Sequence, residues 1–377
     1  MQVTKAKAKG SWMGNLLLLL ATILVSLIAA EVLLRVTGLQ VGNPDPQVMA
    51  FDDTLGWVFE PNSKFQLIRG KDQLELDINR WGFRDDQPPP AQQAAAKTRI
   101  MLLGDSYAEG HEIRAKERAS EYLEQADTNM VVYNFGIGGY STDQELLVLK
   151  KFGPEVRPHV VLLFFCVNDI YYNAQAIAGR QAKPLFKLEP DGSLKPVNLP
   201  LPPPHRTSPI IRWVTSRVAI AKVTSNAIGR ITEGFERKTA QALARETGRA
   251  KLVERGAKED KLLWLVRSDI SNLTYYLLRD IRDECCRLGA QLIVFMCPSS
   301  ESYTATRDDS PEGIKLPMDW CTALEIPAVD LFPVFRRYYL ETGKNLYIYD
   351  KMHWNAQGNR IVADAVMETM QKLGLRR

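Results

Sequence analysis

The chain has 377 residues, 45% hydrophobic and 24% charged, a balance that supports at least one sizeable buried core. Its formal net charge is only +4 with both signs interspersed, so no nucleic-acid-binding surface is indicated. Five cysteines at no metal-like spacing argue against both a disulfide scaffold and a zinc site.

At the amino end, Lys5, Lys7 and Lys9 precede Trp12–Ala30, a stretch without charged side chains that is long enough to span a bilayer. Leu27-Ile28-Ala29-Ala30 lacks the small-x-small pattern of a cleavage site, so the stretch reads as an uncleaved anchor, with a signal peptide as the alternative. The lysines predict a cytoplasmic amino terminus, which puts everything after about Arg35 outside the cytoplasm. Residues 1–38 are therefore read as a cytoplasmic tip and a single transmembrane helix.

Residues 39–98 are read as a juxtamembrane stalk with a small β element. Prolines and polar residues dominate, and only Phe65–Ile68 and Leu74–Ile78 alternate as strands do. Asn79–Asp85 makes a turn, and Pro88-Pro89-Pro90 with the following Ala/Gln run reads as a linker to a domain that begins near Thr98.

From 99 to 377, apolar runs at Arg99–Gly104, Val131–Phe135, Val160–Phe165, Gln291–Met296 and Ala328–Leu331 alternate with helical segments. Apolar runs without alternation belong to strands buried on both faces, which predicts a doubly wound α/β domain with a mainly parallel sheet. Thr142–Glu145 is a capping box that opens a helix, and Gly153-Pro154 ends it. Segment 174–265 is too long for an ordinary connection and is read as an insertion. Its first part is irregular. Its second, Ile210–Lys261, has a helical and basic composition, read as a solvated helix pair, with a lid or membrane-surface helix as the alternative.

Gly104-Asp105-Ser106 ends the first apolar run. On its own it reads first as an ordinary turn with helix-cap residues, with a catalytic serine as the alternative. Three later stretches can converge on it at the carboxyl ends of the strands: Gly136–Gly139, Cys166–Asp169 and Asp350–His353. A serine hydroxyl needs a neighbouring base, and imidazole suits that at neutral pH. Asp350 can accept the Nδ1 proton of His353, leaving Nε2 for Ser106. The N–H groups of Ser106 and Gly139 and the side-chain amide of Asn168 would supply an oxyanion hole. Asp169 is read as a helix cap, and His111, His159 and His205 as structural or exposed. No cofactor and no metal is called for.

These four ordered blocks resemble the SGNH or GDSL hydrolases, a family of esterases, lipases and carbohydrate O-acyl enzymes. Gly104-Asp105-Ser106 resembles the nucleophile block, Gly139 the conserved glycine, Asn168-Asp169 the asparagine block and Asp350-x-x-His353 the last block. Asn79–Asp85 is similar to a segment ahead of the domain in membrane-anchored bacterial members. Cys166 departs from the glycine usual at that place. The resemblance implies a flavodoxin-like SGNH fold with Ser106, His353 and Asp350 as the catalytic triad. It also implies an acyl ester hydrolase of the esterase or O-deacetylase type, which the predicted topology puts on the periplasmic side of the inner membrane. Its substrate would be an O-acetylated glycan, and the nearby bilayer and the basic insertion make phospholipid the next candidate. The alternatives are an O-acyltransferase for an exported or cell-envelope glycan, which would need a membrane acyl-donor protein, and a catalytically silent binding or scaffold protein. An oxidising compartment also raises the pairing of Cys285 or Cys286 with Cys321 as an expectation.

Overall fold

In a computed structural model of the chain, the described residues are 12–36, 48–69, 72–89, 91–178, 181–203, 269–304, 310–349 and 352–375. The chain divides into two compact units, Met1–Pro46 with His205–Lys238 and Gln47–Pro204 with Thr239–Arg377. The first contributes one described helix, α1 (Trp12–Val36). Its Gly14–Leu34 portion has 21 residues, with none of its most apolar window buried. At an α-helical rise that is about 32 Å, enough to cross the hydrocarbon layer. A signal sequence passes the same test of length and composition.

The second unit starts with two hairpins, β1 (Met49–Asp52) with β2 (Gly56–Phe59) and β3 (Lys64–Arg69) with β4 (Asp72–Asp77). A five-stranded sheet follows, made of β5 (Thr98–Gly104), β6 (Met130–Asn134), β7 (Val160–Cys166), β8 (Gln291–Cys297) and β9 (Ala328–Asp330). Every neighbouring pair in it is parallel and the order is β9-β8-β7-β5-β6. This is the doubly wound, flavodoxin-like order. The chain runs from β5 to β6 on one side, then reverses to β7 on the other. Such a reversal opens a crevice at the carboxyl ends of the two central strands.

The strands have no polar face because both faces are covered: Ile100 to Leu103, Val161 to Phe164 and Ile293 to Phe295 are all 0% exposed. The principal helices are α2 (Ala119–Ala126), α3 (Thr142–Val156), α4 (Val167–Tyr172), α5 (Asp269–Leu288), α6 (Glu312–Ala323), α7 (Phe332–Thr342) and α8 (Ala356–Lys372). Helix α3 lies against α5, and α2 against α8.

Several elements depart from the sequence-based expectations. Residues 48–89 are not a separate stalk, and packing is not broken near Thr98. Leu55, Trp57, Phe59, Ile78 and Phe83 are buried in the same apolar cluster as the sheet. Phe83 meets Phe135 edge-on at 4.7 Å, and Trp81 stacks on Phe135 at 5.4 Å. These aromatic rings carry more apolar area than two short hairpins can cover, so they are buried against the α/β body.

Helix α3 is capped by Ser141, not Thr142, and continues past Pro154 to Val156. Its end is set by Arg157 in the left-handed region (φ 49°), whose N–H bonds the Gly153 carbonyl. Of the insertion, the part expected to be irregular forms two small hairpins, Ile177–Ala178 with Gln181–Ala182 and Phe186–Leu188 with Leu194–Pro196. The stretch expected to be helical, Ile210–Lys261, lies outside the described residues. Cys285 and Cys286 do not pair with Cys321: all five thiols are free, four of them buried. Cys285, Cys297 and Cys321 serve as small buried side chains of the core.

Candidate active site

Strand β5 delivers Ser106 to the crevice. Gly104 ends the strand at φ 154°, and Asp105 caps the short helix Ser106–Glu109 by accepting the Tyr107 N–H at 2.9 Å. Ser106 is half-buried, and its Oγ lies 2.9 Å from Nε2 of His353.

Asp105 does more than cap. Its carboxylate also accepts Nδ2 of Asn168 at 3.4 Å and Sγ of Cys166 at 3.7 Å. One amide hydrogen of Asn168 is thereby engaged, and the second is available to a ligand. Burial pushes the Asp105 carboxyl up, against the pull of the Tyr107 N–H, the Asn168 amide and the charge of His353. Cys166 has an ordinary extended backbone (φ −112°, ψ 147°), so the position makes no demand for glycine. Asp169 caps α4 by accepting the Cys166 N–H at 3.2 Å, as read from the sequence.

Asn134, at the end of β6, shapes the glycine loop. Its Oδ1 accepts the Gly136 N–H at 2.9 Å and its Nδ2 donates to the Ala108 carbonyl at 2.7 Å. A Cβ on Gly136 would lie 2.2 Å from the Glu109 nitrogen, so only glycine lets this loop close onto the serine helix. Gly139 turns at φ 84°, in the region that favours glycine, beside Trp57. Tyr140 is anchored through its hydroxyl to the Trp57 carbonyl. The supposed stalk therefore buttresses this loop. Asp85, from the same segment, accepts the Asn134 N–H at 3.0 Å and pairs with Arg118 at 3.3 Å.

His353 is presented by a loop between Tyr347 and Trp354, which form an isolated antiparallel bridge. The Ile348 N–H bonds the His353 carbonyl at 2.8 Å. Trp354 is 2% exposed and packs against Tyr107 and Phe164. Its Nε1 donates to the Tyr347 hydroxyl at 3.1 Å. Asn355 then caps α8. Asp350, the third expected member of the triad, lies outside the described residues, as does His205.

Sequence reasoning missed Asn134, Glu109 and His111. Asn134 was signalled as a polar residue ending an apolar run. His111 is not a residue without site contacts: its ring packs on that of His353 at 4.6 Å. His159 is structural at the opposite end of the sheet, with Nδ1 accepting the Arg99 N–H at 3.0 Å. Among the described residues no cluster of His, Cys, Asp or Glu could hold a metal ion.

The fold and this crevice are those of a doubly wound α/β domain with a hydroxyl and an imidazole in contact at its topological switch point. Residues 102–265 match the model of the GDSL-like Lipase/Acylhydrolase family. That range holds Ser106, Gly139 and Asn168 and ends before His353. This match, over less than half of the chain, supports the SGNH/GDSL hydrolase family and an enzyme acting on esters.

Among solved structures it is similar to the acetyl xylan esterase AlAXEase, at 12% identity over 72% of this chain and 98% of that one, with a TM-score of 0.40. It is also similar to a lipase/acylhydrolase from Enterococcus faecalis, at 14% identity over 73% and 95%, TM-score 0.37. A third is the psychrotrophic esterase EstA from Pseudoalteromonas sp., at 11% identity over 74% and 98%, TM-score 0.37. No curated protein matches the sequence.

Proposed function

We propose that the protein is a serine-dependent acyl ester hydrolase working through an acyl-Ser106 intermediate. The observation that carries this reading is the 2.9 Å contact between Ser106 Oγ and His353 Nε2. His353 takes the hydroxyl proton as Oγ attacks the ester carbonyl carbon. The N–H groups of Ser106 and Gly139 and the amide of Asn168 donate to the oxyanion. On collapse the C–O bond to the alcohol breaks, and the alcohol leaves with the proton from His353. Water, deprotonated by His353, then releases the free acid and restores Ser106. To Asp350 we assign the role of accepting a hydrogen bond from the Nδ1–H of His353, which orients the ring and stabilises the imidazolium.

We place the enzyme on the periplasmic side of the inner membrane, held by α1 as a single span. The proposed substrate is an O-acetylated glycan of the envelope, the class the family resemblance implies for an anchored member. The full chain, purified in detergent, is treated with a fluorophosphonate and assayed with aryl acetate and long-chain aryl esters. Labelling that Ser106→Ala abolishes, together with a preference for acetate, is the expected result. Equal labelling of Ser106→Ala overturns the mechanism, and a long-chain preference moves the substrate to phospholipid. Added oligosaccharide that speeds ester consumption and becomes acylated makes the enzyme a transferase. Alkaline phosphatase fused after Lys97 should be active and remain with the membranes after a carbonate wash. A soluble, shortened fusion would show that α1 is a cleaved signal.

A further inference from the structure

Glu109 is 3% exposed, yet it is no part of the triad. Its Oε2 accepts the Gly138 N–H at 2.6 Å, one residue before Gly139. Its Oε1 lies 3.3 Å from Nδ1 of His111, the ring that packs on His353. On the far side, Nε2 of His111 lies 3.5 Å from Oε1 of Glu112. The other oxygen of Glu112 accepts the hydroxyl of Tyr349 at 2.6 Å, in the same loop as His353.

Glu112 reaches both partners from a left-handed backbone (φ 61°), a conformation that costs a non-glycine residue energy and persists only where its surroundings enforce it. Arg84 supplies part of that enforcement, donating to the carbonyls of Gly110 and Ile113 on either side. A line of contacts thus runs from the glycine loop through Glu109, His111 and Glu112 to the histidine loop. Burial pushes the Glu109 carboxyl up, but the His111 bond, the charges of His111 and Arg84 and the Gly138 N–H outweigh it and hold the carboxyl below its ordinary range. It therefore bonds both partners as a carboxylate.

We infer that Glu109 and His111 are positioning residues that set the oxyanion turn and the His353 ring against Ser106 as one assembly. This rests on the reading of Ser106 as nucleophile and His353 as base. The physical need is clear, because a base carried on a loop loses rate steeply when displaced by about 1 Å, on the order of a hundredfold.

The full chain in detergent is labelled with 13Cε1-histidine, which yields only four side-chain signals. Glu109→Gln keeps an oxygen for Gly138 and loses the charge facing His111. It is expected to move the His111 and His353 signals and leave His159 in place, in the Ser106→Ala background as in the wild type. Its kcat on aryl acetate should fall by about 10- to 100-fold, with KM nearly unchanged. His111→Phe, at a half-exposed position that tolerates a ring, should lower kcat by about tenfold without changing the melting temperature.

An unmoved His353 signal in both variants overturns the inference, as does a full kcat in both. A kcat loss that follows only the melting temperature also overturns it, because that is what a merely structural role produces. If hydrolysis by the wild type does not depend on Ser106, the catalytic reading fails instead. The histidine spectra still decide whether the two loops are coupled.

Discussion

The two sides of the crevice are built differently. Ser106 stands on the end of a buried central strand, with Asp105 beneath it and Asn134 fixing the glycine loop. Among the described residues, the only regular backbone pairing of the loop that carries His353 is the Tyr347–Trp354 bridge, and its Tyr349 and Met352 are exposed. Backbone hydrogen bonds and glycine geometry position the nucleophile, whereas side-chain packing by the Trp354 indole and the His111 ring, with the N-cap of α8, positions the base. A site of this kind should fail in two ways, abruptly on the serine side and through loosening on the histidine side.

The largest effect should come from the reacting groups. Ser106→Ala and His353→Asn are each expected to lower kcat on aryl acetate by about 10³ to 10⁶, and the double variant to lose little more, since the pair acts as a unit. Losses that multiplied would dissolve the pairing on which the comparison rests. Next is Trp354→Ala, which removes a fully packed ring and should cost about 3–5 kcal/mol in denaturant unfolding. A Trp354→Phe variant that stays folded should lose more kcat than stability, because Tyr347 then lacks the indole N–H. If it keeps full rate, the indole does not hold the base.

On the serine side, Asn168→Ala should cut kcat by about 10² to 10³ with a small change in KM, as the loss of one oxyanion donor does. Gly136→Ala puts a Cβ against backbone at 2.2 Å and should cost about 1–3 kcal/mol. Unchanged thermal melting would show that the glycine loop does not press on the serine helix.

The smallest effect concerns the carboxyls buried beneath the nucleophile. Glu145 is 1% exposed, neither of its oxygens has a hydrogen-bond partner among the described residues, and burial followed by repulsion from Asp169 and Asp105 holds its carboxyl well above the usual range. Asp169 is raised in the same way. A carboxyl raised in the folded state stabilises fully below its unfolded value, 4.5 for Glu145, and loses that contribution as pH rises toward the folded value. The melting temperature should therefore fall with rising pH, and Glu145→Gln should flatten the slope. A slope unchanged in this variant would assign the dependence elsewhere.

Local signals explain what could be read in advance. Unbroken apolar runs announced the parallel strands, because a strand covered on both faces has no polar positions to show. Gly104, Asp105 and Ser106 announced the turn, since glycine and a capping carboxylate are needed where that strand ends. Fold order was implied only through the family blocks. The aromatic residues of 48–89 were hidden by the prolines and polar residues around them, and their partners, Phe135 and Phe152, lie far along the chain. Glu109 and His111 carried no spacing that distinguished them from a solvated turn.

From its sequence alone, this protein has a long apolar amino-terminal helix, an α/β domain and a serine, a glycine, an asparagine and a histidine in a recognisable order. These follow from hydrophobic periodicity, turn chemistry and residue type, all of which act over a few residues. Only the tertiary structure decided that the segment before Thr98 buttresses the glycine loop, that Asp105 holds Asn168, and that Glu109 and His111 join the two loops. Those contacts depend on which strands become neighbours, and the chain reversal between β6 and β7 that sets this is a property of the whole sheet.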